Sequence, residues 1–230
     1  MVEVELLNWS GRKSVEIVAE AAKITADGMD DVPNEKVIEM LVENDYSSAL
    51  EHIWFTFRIK CSIGCQRQIL EHRIASHTTR STRYCDENVA ESFEYPKKLS
   101  GEDKEDVERL LIMIDGVYKK LKEKYGRDVA RYILPIGLQT EFVWTINARS
   151  LINFLGLRLC ERAHEEIREV AYEVLEIVRE LVPEIFEMIG CRGVNLGVCP
   201  ENRARPKSCK WRKVIPTKEF VKMGGCKEWR

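Results

Sequence analysis

The chain has 230 residues, of which 44% are hydrophobic and 32% are charged, and its formal net charge is −2. A hydrophobic fraction of this size supports the core of one domain, or of two at most. The nearly neutral balance excludes a polycation that binds nucleic acid over its whole surface, and no apolar stretch approaches the ~20 residues that span a bilayer. The acidic first residues lead into no apolar signal segment, so we expect a cytoplasmic protein without a membrane partner.

The spacing of apolar residues predicts an α+β fold, with mixed helices around a small, mostly antiparallel sheet, because the strands lie too far apart for regular βαβ units. In chain order we predict a strand at 1–7, helices at 14–26 and 33–43, a strand at 53–60, a helix from 62, a loop from 76, a helix at 102–125, a strand at 138–146, and helices from 148 to about 189 with a junction at 183. The loop is expected because consecutive Thr and Ser residues favour local hydrogen bonds outside helices. We predict one catalytic domain over 1–190 and a Cys- and Lys/Arg-rich tail over 191–230, flexible at 190–213.

The run from residue 66 to residue 84 is strongly basic. It holds four arginines, two histidines, five Ser or Thr hydroxyls and, as its only carboxylate, Glu71. The planar donor fork of arginine suits phosphate, and hydroxyl groups can complete an anion cradle. Two interpretations are open at this point: a solvated basic surface, or a site for a phosphorylated ligand.

A second polar cluster surrounds the start of the helix predicted at 148. Two interpretations are open for Asn147 and Arg149: a structural role, with Asn147 as the N-cap and Arg149 paired with Glu141, or ligand binding. Asn153 lies among apolar neighbours, where an unpaired amide would be costly. Arg158 stands between two leucines and therefore needs a buried or bound partner.

The two clusters together resemble the flavin-dependent thymidylate synthases. The signature of that family is Arg-His-Arg, seven residues, then Ser-x-Arg-Tyr, and the chain has His72-Arg73 and Ser81-x-Arg83-Tyr at this spacing. The Asn-Ala-Arg-Ser-Leu segment from Asn147 also matches, and the resemblance covers about residues 45–165. It implies reductive methylation of dUMP to dTMP, with FAD, NADPH and 5,10-methylenetetrahydrofolate. It also implies a homotetramer with active sites between subunits.

The resemblance assigns roles residue by residue. Arg158 matches the residue that favours ionisation of uracil N3, and a fixed guanidinium there would stabilise the developing anion, so it is the expected catalytic residue. The implied dUMP ligands are Gln68, Thr79, Arg80, Ser81, Thr82, Arg83, Arg131 and Arg158. The implied FAD ligands are Ser48, Glu51, His72, Arg73, Ile74, Thr79, Asn147, Arg149 and Asn153.

The chain departs from the family pattern at Glu71, which replaces the first arginine of the signature. Either Arg80 supplies the missing cation, or Glu71 pairs with Arg67 in the preceding helical turn. We expect Ser81 to be a ligand rather than a nucleophile, because nothing in the sequence orients His77 as its base.

The chain also contains eight cysteines. We expect Cys61, Cys65, Cys85 and Cys160 to be small buried hydrophobes. Zinc or a disulfide is conceivable for Cys191, Cys199, Cys209 and Cys226, although their spacings form no Cys-x2-Cys knuckle. The two histidines of the basic run have no third ligand at a suitable spacing, so no metal site is predicted.

Two other functions compete with the synthase interpretation. A nucleic-acid-binding protein could use the basic run with Tyr84, Phe93 and Tyr95 as stacking surfaces, although it would leave the second cluster unexplained. A flavin-free relative that binds dUMP could result from the change at Glu71. The presence of bound flavin distinguishes the synthase from both competing functions.

Overall fold

The computed structural model describes residues 2–44, 46–202 and 205–224. Its sheet has four strands in the order β1-β2-β4-β3, and each neighbouring pair is antiparallel. The strands are β1 (Glu3–Trp9), β2 (Trp54–Ser62), β3 (Ala75–Thr79) and β4 (Gln139–Asn147). The helices are α1 (Lys13–Lys23), α2 (Asn34–Glu43), α3 (Ile63–Leu70), α4 (Gly101–Tyr125), α5 (Arg127–Ala130), α6 (Ala148–Arg158), α7 (Glu165–Leu181), α8 (Pro183–Phe186), α9 (Arg192–Asn195) and α10 (Lys218–Lys222), with 3₁₀ helices at Ser47–His52 and Arg131–Ile133. The predicted α+β class is confirmed.

One face of the sheet forms the core. Phe55, Phe57 and Ile59 alternate along β2 and are fully buried, whereas Arg58 between them is exposed. Successive strand residues point to opposite faces, so this alternation puts a continuous apolar surface on one side. The apolar stripes of α6 and α7 pack in the same core, which includes Phe154. The sheet thereby holds the start of α6 next to the end of β4.

The long helix α4 lies outside this core. Its buried side chains are Leu111, Asp115 and Tyr118, and most of its other residues are exposed. Asp115 accepts a hydrogen bond from the Val89 N–H at 3.1 Å. This bond ties the extended segment after the basic run to α4.

The prediction of a loop from residue 76 was wrong for its first residues. They form β3, which pairs with β4 from Ala75↔Ile146 to Thr79↔Phe142. Thr is β-branched and favours strands, so pairing with a distant strand overrides the local hydrogen bonds that Thr and Ser could form. The first candidate ligand-binding residues after α3 thus lie on an edge strand of the sheet, and the loop begins at Arg80.

The helical region after 148 is more divided than predicted, because a non-helical segment at 159–164 separates α6 from α7. The tail contains ordered interactions. The Cys199 N–H donates to the Pro216 carbonyl at 2.8 Å, and the Lys218 N–H donates to the Cys199 carbonyl at 3.0 Å.

Across the residues described, no helix combines the length and hydropathy that a membrane crossing requires.

Candidate active site

Ser62 fixes the start of α3 against α7. Its hydroxyl oxygen accepts a hydrogen bond from the Cys65 N–H at 3.0 Å, which makes it the N-cap of α3. Its N–H and its hydroxyl donate to the two carboxylate oxygens of Glu166, each at 2.6 Å. Capping of this kind contributes about 1 kcal/mol, and the bonds to the carboxylate strengthen it. The direction of α3, which carries Gln68, is therefore fixed.

Arg158 is held by two groups from the α3 region. Its Nε donates to Nε2 of His72 at 3.1 Å, and its Nη2 donates to the carbonyl oxygen of Gln68 at 3.2 Å. No hydrogen bond of its Nη1 is found within the part of the chain that the structure describes. The partner that the sequence predicted for Arg158 is thus present in the fold, and one nitrogen is left for a ligand.

His72 is a neutral hydrogen-bond acceptor at neutral pH. Burial, together with the smaller effects of the charges of Arg158 and His77, lowers its pKa to about 4. Its ring is 8% exposed and meets the Phe154 ring edge-on, with 4.9 Å between centroids. Burial also lowers the pKa of Arg158 from its ordinary value. A neutral imidazole can orient this guanidinium without neutralising it.

A second group forms around Asp128, a residue that sequence reasoning missed. Nε and Nη2 of Arg83 donate to its two carboxylate oxygens at 2.7 and 3.3 Å. This bond is the largest cause of the lowered pKa of Asp128, and the charge of Arg131 adds to it. Arg131 begins a 3₁₀ helix, and its guanidinium carbon lies 5.8 Å from the Tyr132 ring centroid. The fold thus brings two predicted dUMP ligands to one carboxylate.

The loop at Ser81 is a tight turn. The N–H groups of Tyr84 and Cys85 donate to its carbonyl oxygen at 3.1 and 2.9 Å, and its hydroxyl oxygen accepts from the Arg83 N–H at 3.3 Å. Ser81 and Thr82 are half-buried. His77 is not bonded to Ser81: its ring stacks on Trp144, and its Nε2 is buried without a partner among the residues described. No base for a nucleophilic serine is therefore assembled at this turn.

Arg80 contacts a carboxylate that sequence reasoning did not identify. Its Nε lies 3.2 Å from Glu87 and its Nη2 donates to the Asp86 carbonyl at 2.8 Å. It lines a polar cavity of about 220 Å³ with Lys60. The ion pairs within the described ranges do not join Arg67 to Glu71, and Arg80 as the substitute cation stays a prediction. Glu71 itself is exposed.

Several of the predicted flavin ligands already contact other residues of the chain. Arg149 pairs with Glu51 at 2.6 Å, so the predicted pair with Glu141 was wrong; Glu141 instead lies 3.3 Å from Arg58 across the sheet. Asn147 is 1% exposed, and its side-chain oxygen accepts from the Ser150 N–H at 2.8 Å as the N-cap of α6. These contacts join the 3₁₀ helix at Ser47–His52 to the start of α6.

Two further flavin candidates, Asn153 and Ser48, are exposed. The expectation that Asn153 is packed among apolar neighbours was wrong, because those neighbours lie on the buried side of α6 while the amide faces outward. Nη2 of Arg192 reaches the side-chain oxygen of Asn153 at 3.5 Å. Thr79, assigned to both ligands, is exposed at the end of β3.

The corner between α3 and β3 is strained and basic. Ile74 has φ +60° and is 64% exposed, and a β-branched residue in this region costs about 1–3 kcal/mol. The neighbouring Arg73 is exposed. Within the described part of the chain, Arg67, Arg73 and Arg131 take part in none of the ion pairs. Arginines without an ion-pair partner in the described chain, two of them just ahead of the strained corner, favour an anionic ligand over a surface neutralised by its own acids.

Cys61, Cys65 and Glu166 form a three-ligand group, in which the ligand atoms lie within 4.8 Å of one another. Sequence reasoning predicted both cysteines only as buried hydrophobes, and both are buried and free. The Cys61 side chain and burial raise the pKa of Cys65, and the Glu166 oxygens already accept two bonds from Ser62. A Cys65 thiol with a raised pKa and an occupied carboxylate fit a structural contact better than a metal site.

The remaining cysteines differ in exposure from the prediction. Cys85 and Cys160 are half-buried rather than buried, because both lie outside the main apolar core. Cys191, Cys199 and Cys209 are free thiols, and the prediction for Cys226 lies outside the described residues. The zinc and disulfide alternatives therefore have no support in the described tail.

The structure is thus an α+β fold with a small antiparallel sheet and an arginine-rich edge. Comparison with known proteins identifies the family. Residues 5–184 match the model of the thymidylate synthase complementing protein family, and the chain belongs to this family. It is 36% identical to the flavin-dependent thymidylate synthase of Pyrococcus furiosus, over 95% of this chain and 100% of that protein. It is 38% identical to that of Thermococcus kodakarensis (93% and 94% covered) and 32% identical to that of Clostridium tetani (87% and 91% covered).

Proposed function

We propose that this protein is a flavin-dependent thymidylate synthase, an enzyme that converts dUMP to dTMP by reductive methylation. The observation that carries the proposal is the arrangement of Arg158, whose guanidinium is oriented by neutral His72 and by the Gln68 carbonyl, with Nη1 left for a ligand. The named relatives in three genera support the reaction class. When bound, FAD reduced by NADPH supplies the hydride, and 5,10-methylenetetrahydrofolate supplies the carbon.

Arg158 is the proposed catalytic residue. The Arg158 guanidinium would lie beside N3 of the uracil ring and the carbonyl oxygen next to N3. Negative charge develops on these atoms as the ring becomes nucleophilic. A donor fixed in advance stabilises such a charge at little reorganisation cost. His72 accepts one N–H of this guanidinium and carries no charge of its own near pH 7, so it holds the donor in place without opposing the anion.

The proposed phosphate and sugar contacts come from the Ser81 turn and from Arg131. Arg83 and Arg131 stand beside Asp128, and the bidentate pair of Arg83 with this carboxylate is exposed. An exposed pair of this kind is worth little, so a phosphate can replace the carboxylate as the partner of Arg83. The proposed dUMP ligands are Gln68, Thr79, Arg80, Ser81, Thr82, Arg83, Arg131 and Arg158.

The flavin site is proposed at the corner between α3 and β3 and at the start of α6. The fit rests on Arg73, which is exposed, and on the strained backbone of Ile74, which turns the chain at this corner. Both features suit a large anionic cofactor that packs on the surface of one subunit. The proposed FAD ligands are Ser48, Glu51, His72, Arg73, Ile74, Thr79, Asn147, Arg149 and Asn153.

We also propose a homotetramer with active sites between subunits. The support is a set of exposed apolar residues on α4, including Leu110, Met113 and Val117, which recur at helical spacing on a helix outside the core. A patch of this kind marks an interaction surface. Met113→Glu should reduce the assembly size measured by light scattering, whereas Ile24→Glu, at another exposed apolar residue, should leave it unchanged. Equal tetramer masses for both variants would contradict this assignment.

The two competing functions have less support. Phe93 packs so closely over Gly137 that an added Cβ there would lie 2.4 Å from its ring, and Tyr95 meets Phe93 edge-on, so these rings are not open stacking surfaces. A flavin-free relative would need Glu71 to exclude the cofactor, and the absorption spectrum distinguishes this case.

The division into a catalytic domain at 1–190 and a tail at 191–230 is part of the proposal, and the cytoplasmic location stays a prediction.

The proposal is tested by dTMP formation from dUMP with FAD, NADPH and methylenetetrahydrofolate, in the wild type and two variants. Arg158→Gln should lower kcat by about 100-fold, because a positioned donor to a developing anion is worth this much. Arg12→Gln, which alters an exposed arginine far from the site in sequence, should retain activity. No dTMP formation by the wild type, or an Arg158→Gln rate within a few-fold of the wild type, would overturn the proposal.

A further inference from the structure

Four cysteines line one cavity of about 170 Å³ between the end of α6 and the tail. Cys160 lies two residues after α6, and Cys191, Cys199 and Cys209 belong to the tail. The other cysteines that the structure describes do not line this cavity. None of the residues proposed above for dUMP or FAD lines it either. The cavity is therefore separate from the proposed active site, and it gathers most of the described thiols.

The backbone of the tail holds its three thiols at this cavity. Cys191 is the residue before α9. Gly193 of α9 lies against Cys199, because a Cβ added at Gly193 would stand 3.4 Å from the Cys199 Cβ. The Cys209 carbonyl accepts a hydrogen bond from the Arg212 N–H at 3.0 Å, which closes a turn at this cysteine. Three separate segments of the tail thus converge on one point.

The tail has almost no apolar core of its own. Within 191–202 and 205–224 the buried residues are Gly193, Cys199 and Arg205, whereas Leu196 and Phe220 are exposed. Units that bury so little apolar surface usually need a disulfide or a metal group to stay folded. The described cysteines are free thiols. A metal group bound by all four cavity cysteines would join the tail to α6.

The charges around the cavity favour a negatively charged group. The two glutamates that line it each pair with an arginine outside its walls. Arg192, Arg205 and Lys210 also line it, and they form none of the ion pairs found in the described ranges. Burial raises the pKa of the Cys160 thiol, and nearby cations reduce the cost of ionising such a thiol without touching the ligand. The surplus of positive charge can therefore offset thiolates bound to metal.

The spacing of the sulfur atoms favours a cluster over a single ion. Zinc binds four sulfurs at about 2.3 Å, which places them less than about 4 Å from one another. Among the described residues, no three of these four sulfur atoms lie within 4.8 Å of one another. An iron–sulfur cluster lies between its cysteines and holds them farther apart, and the cavity has room for several heavy atoms.

We propose that Cys160, Cys191, Cys199 and Cys209 bind one four-iron cluster (4Fe–4S) that fastens the tail to the end of α6. The proposal does not rest on the proposed function. Each thiol loses its proton as its sulfur binds one iron, so four protons are released. Assembly from four ferric ions and four sulfide ions takes up two electrons. Dithiothreitol supplies both electrons and closes to its own disulfide.

The first test is anaerobic reconstitution of the full-length protein with ferric chloride, sulfide and dithiothreitol, followed by desalting. Iron and acid-labile sulfide are then counted, because flavin does not interfere with these counts. The wild type should retain about four of each per chain. The double variant Cys191→Ala, Cys199→Ala should retain less than about half of this amount, since two of the four iron ligands are removed. Cys85→Ala removes a thiol outside the cavity and should match the wild type.

Three results would overturn the proposal. The first is a wild type that retains no iron and sulfide. The second is a double variant that retains as much of both as Cys85→Ala does. The third is a wild type that binds one zinc ion per chain and excludes iron and sulfide when all three are supplied.

A second measurement needs no variant and therefore remains decisive if the double variant does not fold. Iodoacetamide labelling of the wild type, read by peptide mass spectrometry, reports each thiol separately. Reconstitution should slow labelling of Cys160, Cys191 and Cys209, which are half-buried, and leave the half-buried Cys85 unchanged. Equal labelling rates before and after reconstitution at the three cavity cysteines would refute the site.

Discussion

The pH dependence of folding stability provides a direct test of the neutral state of His72. The pKa of this residue is 6.5 in an unfolded chain and about 4 in the folded protein. Between these values the unfolded state binds more protons, so the free energy of unfolding falls as pH falls through this window. The stabilisation is fully present above pH 6.5 and is lost as pH approaches 4. The full difference corresponds to about 3 kcal/mol, which partial contact of the ring with solvent reduces to about 2 kcal/mol.

The perturbation is His72→Gln, whose amide oxygen can accept the Arg158 hydrogen bond but does not titrate. Urea unfolding at pH 7 and pH 5 gives the free energy of unfolding of each protein. The wild type should lose about 1 kcal/mol more than the variant between these pH values. His77 also has a pKa lowered by burial, and its contribution cancels because both proteins contain it.

Equal pH dependence in the wild type and in His72→Gln would refute the neutral, buried state of His72. A variant that is more pH-sensitive than the wild type would refute it as well. Either result would also remove the physical basis on which Arg158 is proposed to be held by an uncharged acceptor.

Three further predictions concern stability, measured by urea unfolding. Gly137→Ala should destabilise the protein by about 1–3 kcal/mol, because the new Cβ would lie 2.4 Å from the Phe93 ring; stability equal to the wild type would contradict this packing. Arg80→Leu should cost about 1–3 kcal/mol at pH 7, because it leaves the buried Glu87 carboxylate without its cation, and a smaller loss at pH 4 should follow when that carboxylate is protonated. Ile74→Gly should be about 1 kcal/mol more stable than Ile74→Ala, since only glycine accepts φ +60° without strain, and the reverse order would refute the strain.

The sequence predicted those elements whose signals are local. The alternation of β2 and the amphipathic pattern of α4 depend on residues a few positions apart, and both elements are found within a residue or two of the expected bounds. β3 was missed because its stability comes from pairing with β4, about 70 residues away in the chain. Sequence patterns within β3 alone do not contain this information.

The same limit applies to the candidate site. The arginines of the basic run were found from their local density, but their partners were not. Asp128 is 45 residues from Arg83 and Glu51 is 98 residues from Arg149, so only the fold brings each pair together. The pair of Arg149 with Glu141, one alternative open from the sequence, is not formed, because Glu51 lies closer in the fold.

The central claim, that this family member is a flavin-dependent synthase, is tested most directly by visible absorption spectroscopy of the purified protein. Spectra would be recorded before and after addition of FAD, and again after addition of dUMP. We predict a protein-bound flavin band that shifts when dUMP is added, because both ligands would share one site beside Arg158. A colourless protein that does not bind FAD would contradict the claim, and would implicate Glu71 at the usual arginine position.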